Sequence, residues 1–545
     1  MPEDLIGQVN LILDGSQAPL EVMDDLMEVE VNTTLHLPSM FVLRLRNPDM
    51  RWLEAPTFAI GKKAEVWAGR GRSLKKLMTG KIAALEPDLA ESDPTLVVRG
   101  YDLSYALYRG RYTHSFQQVT DSDLVQRIGR EAGLQVQADA TAQVHDYVFQ
   151  NNQSNAAFLL ARAHRIGYEL YVEDNTLYFR RPPNGGHVAA TLEWGLELKN
   201  FRPRLAATEQ VDEVLVKGWD PRTKEGIVGR ARRGRGAPRI GESQPGSRMA
   251  REAWGEAQVV VVDRPVASQG EAEAMAQAIL DELTGAFIEA EGVANGNPEI
   301  KPGKRLELQG LGPRFNGQYY VTAATHTCNR TEGYLTTFTI SGRRAGTMLE
   351  LIEAQTQPTL GPGVVIGIVT NNQDPDGLGR VKVKFPWLST EDESAWARIA
   401  APMAGQGRGF YYLPEVNDEV LVAFEHGDIH RPYLLGGLWN GRDTPPKKNR
   451  EVVGGSGRVE QRIIKSRAGH TITLDDSDGH PSITIVDKTG NNRIIINSQD
   501  NSLKIQAQGS LTFEARGKVT LKGQAGVEIT SSGNVDIKGA MINLN

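Results

Sequence analysis

Short apolar pairs recur along the C-terminal part of the chain and define its most regular region. Within residues 472–545, each pair places two apolar side chains at positions i and i+2, and glycine or asparagine residues lie between the pairs. Successive pairs begin 11, 11, 9, 8, 8, 8, 8 and 7 residues apart. Alternation at this spacing predicts a series of very short β-strands, which is typical of a solenoid or a fibre.

A repeat of this length is too short to wind a spacious β-helix from one chain, and each repeat carries few apolar side chains. We therefore expect three chains to share a trimeric β-helix, or β-prism, in which the pairs face a common axis and no strand edge stays open. An antiparallel meander and a single-chain solenoid are the alternatives. The predicted trimer-core residues are Ile472, Leu474, Ile483, Ile485, Ile494, Ile496, Leu503, Ile505, Leu511, Phe513, Val519, Leu521, Val527, Ile529, Val535 and Ile537.

The first 360 residues predict a hub-like region in which strands are interrupted by an α+β segment. Apolar and polar residues alternate in short runs near both ends of this region. Asp121-Ser122-Asp123 is predicted to cap a helix that Gly133 ends. The predicted helices cover residues 124–132, 155–165 and 269–288, and the predicted strands include residues 9–13, 41–45, 64–68, 96–101, 168–172, 176–180, 319–322 and 336–340.

Residues 361–445 predict a separate small barrel. Gly361-Pro362-Gly363 marks its start, and Asp374-Pro375-Asp376-Gly377 is a turn between its first two strands. Five short strands suit an OB-like barrel, and they are predicted at residues 364–370, 379–385, 396–401, 420–424 and 433–438. Residues 446–471 then predict a linker and neck. The expected fold class is thus mainly β, with an α+β hub, a barrel and a C-terminal needle at residues 472–545.

Composition and charge exclude several classes of function. The chain has 545 residues, and its 61 basic and 67 acidic residues give a net charge of −6, so we expect no nucleic acid as a partner. The single cysteine forms no intrachain disulfide, which is typical of folding in a reducing cytoplasm. No signal peptide or membrane-spanning run is predicted. We expect the protein to be made in the cytoplasm and then exported or released within a particle.

Short motifs of the hub-like region occur in an order that resembles phage late-control and hub proteins. They are Asp121-Ser122-Asp123-Leu124-Val125, Glu131-Ala132-Gly133-Leu134, residues 155–160, Gly167-Tyr168-Glu169-Leu170-Tyr171, Pro302-Gly303, Gly310-Leu311-Gly312 and residues 317–321. Residues 376–387, 414–424 and 427–440 resemble the OB-type barrel of VgrG spike proteins, and residues 469–476 resemble the neck of their needle. The resemblance therefore covers hub, barrel and needle.

This resemblance implies a homotrimeric hub and spike at the tip of a contractile injection system. The implied partners are inner-tube and baseplate proteins, a possible effector cargo, and the target envelope on puncture. A PAAR-type tip protein would cap the apolar end of the needle at Met541, Ile542, Asn543, Leu544 and Asn545. Type VI secretion systems and extracellular phage-tail-like particles remain open as subtypes.

Candidate chemistry is sparse, so we expect no enzyme, no cofactor and no metal site. His426 and His430 flank a turn between strands, where the i, i+4 spacing does not bring imidazoles together as it does on a helix. The acidic run 475–479 lacks the oxygen spacing of a calcium loop. No Gly-x-Ser-x-Gly elbow is present. The alternative functions are a tail-associated cell-wall hydrolase and a trimeric receptor-binding fibre.

The basic run at residues 229–239 allows two interpretations. Its arginines are a possible contact for an anionic surface, but no aromatic residues alternate with them as they do in sites for single-stranded nucleic acid. A solvated loop is the preferred interpretation.

Overall fold

The computed structural model describes residues 7–70, 73–90, 93–183, 185–220, 225–235, 239–342, 363–386 and 391–543. Strands predominate, and the chain divides into two compact units, Met1–Leu438 and Trp439–Asn545. The first unit contains the predicted hub-like region and the predicted barrel up to Leu438, whereas residues 439–445 of the predicted barrel belong to the second unit. The predicted boundary between them, at residues 360 and 361, lies outside the described residues.

The N-terminal segment of the first unit is built from long strands in which buried and exposed positions alternate. In β4, for example, Phe41, Leu43 and Leu45 are buried, whereas Arg44 is exposed. Its elements are β1 (Gly7–Leu13), β2 (Ser16–Gln17), α1 (Leu20–Asp25), β3 (Leu26–Thr34), β4 (Met40–Arg46), α2 (Arg51–Glu54), β5 (Lys63–Arg70), β6 (Ser73–Asp88) and β7 (Thr95–Asp102).

An α+β segment follows, and it confirms the predicted helices with one correction. The first long helix begins at Asp121 rather than Leu124, because Thr120 forms a reciprocal capping box with Asp123. The second covers the predicted residues and is capped by Ser154. The elements are α3 (Tyr105–Tyr108), β8 (Tyr112–Val119), α4 (Asp121–Glu131), β9 (Gln135–Ala138), β10 (His145–Gln153), α5 (Asn155–Arg165), β11 (Glu169–Glu173) and β12 (Thr176–Arg180).

The remaining hub segment adds two small sheets and the longest helix. That helix ends three residues earlier than predicted, because a strand begins at Ile288. The elements are β13 (Val188–Glu193), β14 (Leu198–Leu205), β15 (Glu213–Asp220), β16 (Glu225–Ala231), β17 (Arg239–Ile240), α6 (Gly246–Trp254), β18 (Gln258–Val261), α7 (Gln269–Gly285), β19 (Ile288–Asn295), β20 (Arg305–Gln309), β21 (Gly317–Tyr320), β22 (Ala323–Asn329) and β23 (Gly333–Ile340).

One eleven-stranded antiparallel sheet joins the two ends of the hub region. Its order is β14-β19-β23-β22-β3-β4-β7-β6-β5-β1-β2. The joining pair is β3 with β22, in which Val29 lies opposite Cys328. Core residues such as Val31 and Phe41 are fully buried in this sheet's main apolar cluster. The sheet therefore brings together β3 and β22, which are far apart in sequence, and no local pattern of residues predicts this pairing.

The region predicted as a barrel forms a five-stranded sheet of order β25-β24-β29-β30-β26. A two-residue-strand hairpin, β27 with β28, lies between β26 and β29 in the chain. The elements are β24 (Val365–Asn371), β25 (Lys382–Lys384), β26 (Arg398–Ile399), β27 (Ala404–Gly405), β28 (Arg408–Gly409), β29 (Glu419–Phe424) and β30 (Pro432–Gly437). Each of the five predicted strands thus has a counterpart.

The second unit contains a short helix and a five-stranded antiparallel meander in sequence order. The predicted linker and neck, residues 446–471, includes α8 and β31. No strand is assigned in residues 507–543, all of which the structure describes. The elements are α8 (Asn449–Val452), β31 (Gln461–Lys465), β32 (Thr471–Asp475), β33 (Ser482–Val486), β34 (Arg493–Asn497) and β35 (Ser502–Gln506). No helix among the described residues is both long enough and apolar enough to span a bilayer.

Candidate functional site: the apolar face of the C-terminal sheet

The register of the C-terminal sheet aligns the apolar pairs across neighbouring strands. Ile472 lies opposite Ile485, and Leu474 lies opposite Ile483. Directly opposed residues of antiparallel strands point to the same side of the sheet, as do residues i and i+2 of one strand. Two apolar rows therefore share one face: Ile464, Ile472, Ile485, Ile494 and Ile505 in the first, and Leu474, Ile483, Ile496 and Leu503 in the second.

This apolar face is uncovered within one chain. Its side chains are 38% exposed at Ile494 and 64% exposed at Leu503, with the others between these values. The polar residues that alternate with them, such as Thr471 and Thr473, are half-buried. A contiguous apolar patch of this kind marks an interaction surface in a folded protein.

The turns of this sheet fix its register. Between β33 and β34, both carboxylate oxygens of Asp487 accept hydrogen bonds from the Thr489 hydroxyl, at 2.9 and 2.8 Å. The backbone N–H and side chain of Asn492 donate to the same carboxylate. These bonds, chiefly those from Thr489, lower the pKa of Asp487 to about 2. A slip of the register by one residue would move the apolar side chains of a strand to the other face. The hydrogen bonds in the turns are therefore part of the site.

The remaining predicted core residues continue beyond the last strand of the sheet. They are exposed by 52–73%, and they are Leu511, Phe513, Val519, Leu521, Val527, Ile529, Val535 and Ile537. The expected strands in this part are not formed, since residues 507–543, all of which the structure describes, contain no strand. Of the predicted tip residues, Met541 is 80% and Ile542 48% exposed and Asn543 is exposed, whereas Leu544 and Asn545 lie outside the described residues.

His326 and Cys328 lie two residues apart on β22, where their surroundings are those of a packed core. His326 is buried, and its two ring nitrogens lie 2.9 Å from the Tyr334 hydroxyl and 3.0 Å from the carbonyl oxygen of Ile300. Burial lowers the pKa of His326 to about 4 and raises that of Cys328 to about 12. Among the described residues, no group of three or more His, Cys, Asp or Glu side chains is placed to hold a metal ion.

Two arginines in the described part of the basic run form ion pairs. Arg230 and Arg232 both form ion pairs with Glu213, at 3.2 and 2.8 Å. The backbone N–H of Arg235 donates to Asp281. Residues 236–238 of the run lie outside the described residues.

A contact between the α+β segment and the five-stranded sheet of residues 365–437 escaped the sequence analysis. Phe149 of β10 is 4% exposed and packs in the apolar core of that sheet. Its backbone N–H donates to Nε2 of His430 at 2.9 Å, and Nδ1 of His430 lies 2.6 Å from Asp428. Ser115 donates to Asp392 through its N–H and its hydroxyl. These residues are far apart in sequence, so no local signal would have identified the contact.

Comparisons with known proteins agree with this architecture. The family model described as "Alg8 N-terminal domain" matches residues 45–330, and the one described as "Type VI secretion system/phage-baseplate injector OB domain" matches residues 365–439. The type VI secretion system spike protein VgrG1b of Pseudomonas aeruginosa is 29% identical over 142 residues, which are 25% of this chain and 18% of that protein. The actin cross-linking toxin VgrG1 of Vibrio cholerae is 29% identical over 189 residues, 32% of this chain and 17% of the toxin.

Among solved structures, the lidded Francisella PdpA–VgrG complex has a similar fold. The TM-score is 0.54 at 8% identity, and the match covers 92% of this chain and 81% of that chain. The curated relatives and the match to the OB-domain model support a VgrG-type spike protein, as the sequence motifs indicated. The chain belongs to the family of the Alg8 N-terminal domain, whose model covers more than half of its length. The aligned part spans less than a fifth of the first two curated relatives.

Proposed function

We propose that three copies of the chain join through the apolar face of the C-terminal sheet and form a puncturing spike. The observation that carries this proposal is the pair of aligned apolar rows on one uncovered face. Three such sheets would form the three walls of a prism, with the rows inside. Complete burial of a leucine or isoleucine side chain contributes about 1.5–3 kcal/mol relative to exposure.

Residues beyond β35 extend the same prism in the proposed assembly. Strands of one chain that have no partner in that chain would pair with strands of the other two, which satisfies their backbone N–H and C=O groups. The OB-like barrel and hub would sit on the inner tube and baseplate. A closed β-fibre suits a mechanical role, because force must break many backbone hydrogen bonds together.

Exposed apolar side chains in the C-terminal repeats support a capping partner in this proposal. Met541 and Ile542 retain large exposed fractions, and a PAAR-type tip protein would cover them before the target envelope is punctured. In this proposal the chain is a mechanical component, not an enzyme. It is made in the cytoplasm and leaves within the injection particle, together with any effector cargo that it carries.

Limited proteolysis of the full-length protein tests the proposed prism. Ile485→Asp would place three carboxylates inside it, whereas Thr484→Asp on the same strand changes the opposite face. We expect wild type and Thr484→Asp to protect residues 461–543 equally and Ile485→Asp to lose most of this protection. Equal protection in all three proteins would contradict the inward-facing rows.

A further inference from the structure

One face of the four-stranded hub sheet β13-β20-β21-β17 belongs to an apolar core, and the other face carries polar side chains. Leu306, Leu308 and Tyr319 are fully buried in that core. Arg305 and Tyr320 occupy alternate positions of β20 and β21, and they lie directly opposite each other. Because side chains alternate between the two faces of a sheet, both point away from that core. An arginine and a tyrosine ring therefore share the polar face.

Arg305 is a buried cation with a fixed position. Only 9% of the residue is exposed. Its Nη2 donates to the carbonyl oxygen of Pro183 at 2.8 Å, and its guanidinium lies over the ring of Tyr320, 5.8 Å from the centroid. The Tyr320 hydroxyl in turn donates to Glu169 at 2.6 Å. Nε of Arg305 is buried and has no hydrogen-bond partner among the described residues. The guanidinium is thus held in place without all of its donors being used.

The described residues supply no carboxylate that pairs with Arg305. Glu169 forms its ion pair with Arg180, at 3.4 Å, and Glu307, two residues further along β20, forms no ion pair with Arg305. A buried charge without an opposite charge is costly, because burial removes the water that would solvate it. Burial, and after it repulsion from Arg239, lowers the pKa of Arg305, yet an arginine stays protonated at neutral pH. This part of the fold therefore favours an additional anion.

A second guanidinium, that of Arg239, lies near the first. Arg239 begins β17, the neighbour of β21 in the same sheet, and it is exposed. A Cβ on Gly185 would lie 3.1 Å from Nη2 of Arg239. Arg305 donates to Pro183, which comes two residues before Gly185, so both guanidiniums lie beside the same short segment. Two neighbouring cations repel each other, and an anion placed between them would replace this repulsion with attraction.

We propose that Arg305 and Arg239 together bind an oxyanion, either a carboxylate or a phosphate group. A guanidinium presents paired N–H donors that match two oxygens of such a group. Arg305 would contribute a fixed, desolvated charge, and the exposed Arg239 would contact the ligand from the solvent side. Arg239 is the last residue of the basic run, whereas Arg230 and Arg232 of that run pair with Glu213. The proposed needle does not involve this sheet, so the inference is independent of the proposed function.

Isothermal titration calorimetry of the full-length protein at constant ionic strength tests this site. Inorganic phosphate is one ligand and a pentaglutamate peptide is the other, so that a phosphate group and a protein carboxylate are distinguished. Arg239→Gln removes the exposed guanidinium. Arg204→Gln is the matched control, because Arg204 is an exposed arginine of β14 in the eleven-stranded sheet, where it pairs with Glu289. We expect saturable binding of one ligand to wild type and control, and a dissociation constant about tenfold higher in Arg239→Gln, the loss expected for one charge-assisted hydrogen bond.

The outcomes identify the ligand or overturn the site. Phosphate binding that Arg239→Gln weakens would assign a phosphate group, and binding of the peptide alone would assign a carboxylate of a protein partner. No saturable binding of either ligand, or equal affinity in wild type and Arg239→Gln, would overturn the proposal.

A second variant tests the buried half of the site. Arg305→Lys keeps the charge but replaces the planar donor group with one ammonium, and we expect it to weaken binding as well. Its denaturation midpoint is measured in the same sample to show that it is folded, and Arg239→Gln decides the question if it is not. A particle with the mass of one chain would contradict the proposed needle and leave this inference untouched.

Discussion

The hub sheet and the C-terminal sheet show the same alternation of apolar and polar residues, but they differ in how far the apolar side chains are buried. In the hub, the alternating residues Phe41, Leu43 and Leu45 are fully buried by other elements of the same chain. In the C-terminal sheet, Ile472 and Ile485 alternate as regularly and remain 40% and 45% exposed. Alternation therefore specifies a strand and its apolar face, whereas what covers that face depends on the rest of the fold or on other copies.

The largest expected effect is on residues 507–543, because in the proposed trimer each change would occur three times around the axis. Ile537→Asp would bury one uncompensated carboxylate per copy, at a cost of about 3–5 kcal/mol each. We expect hydrogen exchange in residues 507–543 to become much faster while exchange in the hub is unchanged. Asn534→Asp is the control, since it adds the same charge at a predicted turn. Equal exchange in the two variants would mean that Ile537 does not face the axis.

A substitution in the hub core should destabilise the hub and leave the C-terminal sheet unchanged. Phe41→Ala leaves a cavity in a core where the ring is completely buried, and such changes cost about 3–5 kcal/mol in the free energy of unfolding. We expect a lower denaturation midpoint for the hub and unchanged protease protection of residues 461–543. The matched control is Arg44→Ala on the exposed face of the same strand. Loss of needle protection in Phe41→Ala would show that the two regions do not fold independently.

The smallest expected effect is the loss of stability at low pH when a carboxylate in a turn, such as Asp374, is protonated. The side chain of Asp374 is 4% exposed and binds Arg380 at 2.6 and 2.9 Å, whereas Asp487 forms its bonds with Thr489 and Asn492 at an exposed turn. The pKa of Asp374 is lowered from 3.8, the value of an unperturbed carboxyl, to about 2, chiefly because Arg380 donates hydrogen bonds to the carboxylate. Stability from this group is therefore present above about pH 4 and is lost as the pH falls through about 2.

Denaturation between pH 7 and pH 2 checks this contribution. We expect Asp374→Asn to lower the free energy of unfolding by about 1 kcal/mol at pH 7, and the difference from wild type should vanish near pH 2. Asp376→Asn should have a weaker effect, since its side chain is 55% exposed and makes a single contact with Arg380. A pH-independent difference for Asp374→Asn would contradict the ionic origin of the effect.

Local patterns predicted elements better than they predicted contacts. The second hub helix, α5, was predicted at its observed bounds, and the structure shows that the Ser154 side chain caps it. Strand β31 was missed, since Ile463 and Ile464 are adjacent and do not form an i, i+2 pair. The pairing of β3 with β22 and the contact of Phe149 with His430 join residues about 280–300 positions apart. No periodicity within a short window contains that information.

The sequence predicted which residues form the candidate site, but it did not predict how they align across neighbouring strands. Spacing alone identified Ile472, Leu474 and their successors, because period-2 alternation determines the face of a strand. The register that aligns them into two rows depends on turn lengths and on bonds such as those of Asp487 with Thr489. The inward orientation in a trimer stays a prediction.

The mass of the full-length protein in dilute solution, measured by light scattering, tests the central claim most directly. One chain has a mass of 59.8 kDa. The proposed spike predicts a particle of about three times this mass that persists on dilution, because three uncovered apolar faces would be buried together. A particle with the mass of one chain would contradict the shared prism and leave the apolar face of the C-terminal sheet to a different partner.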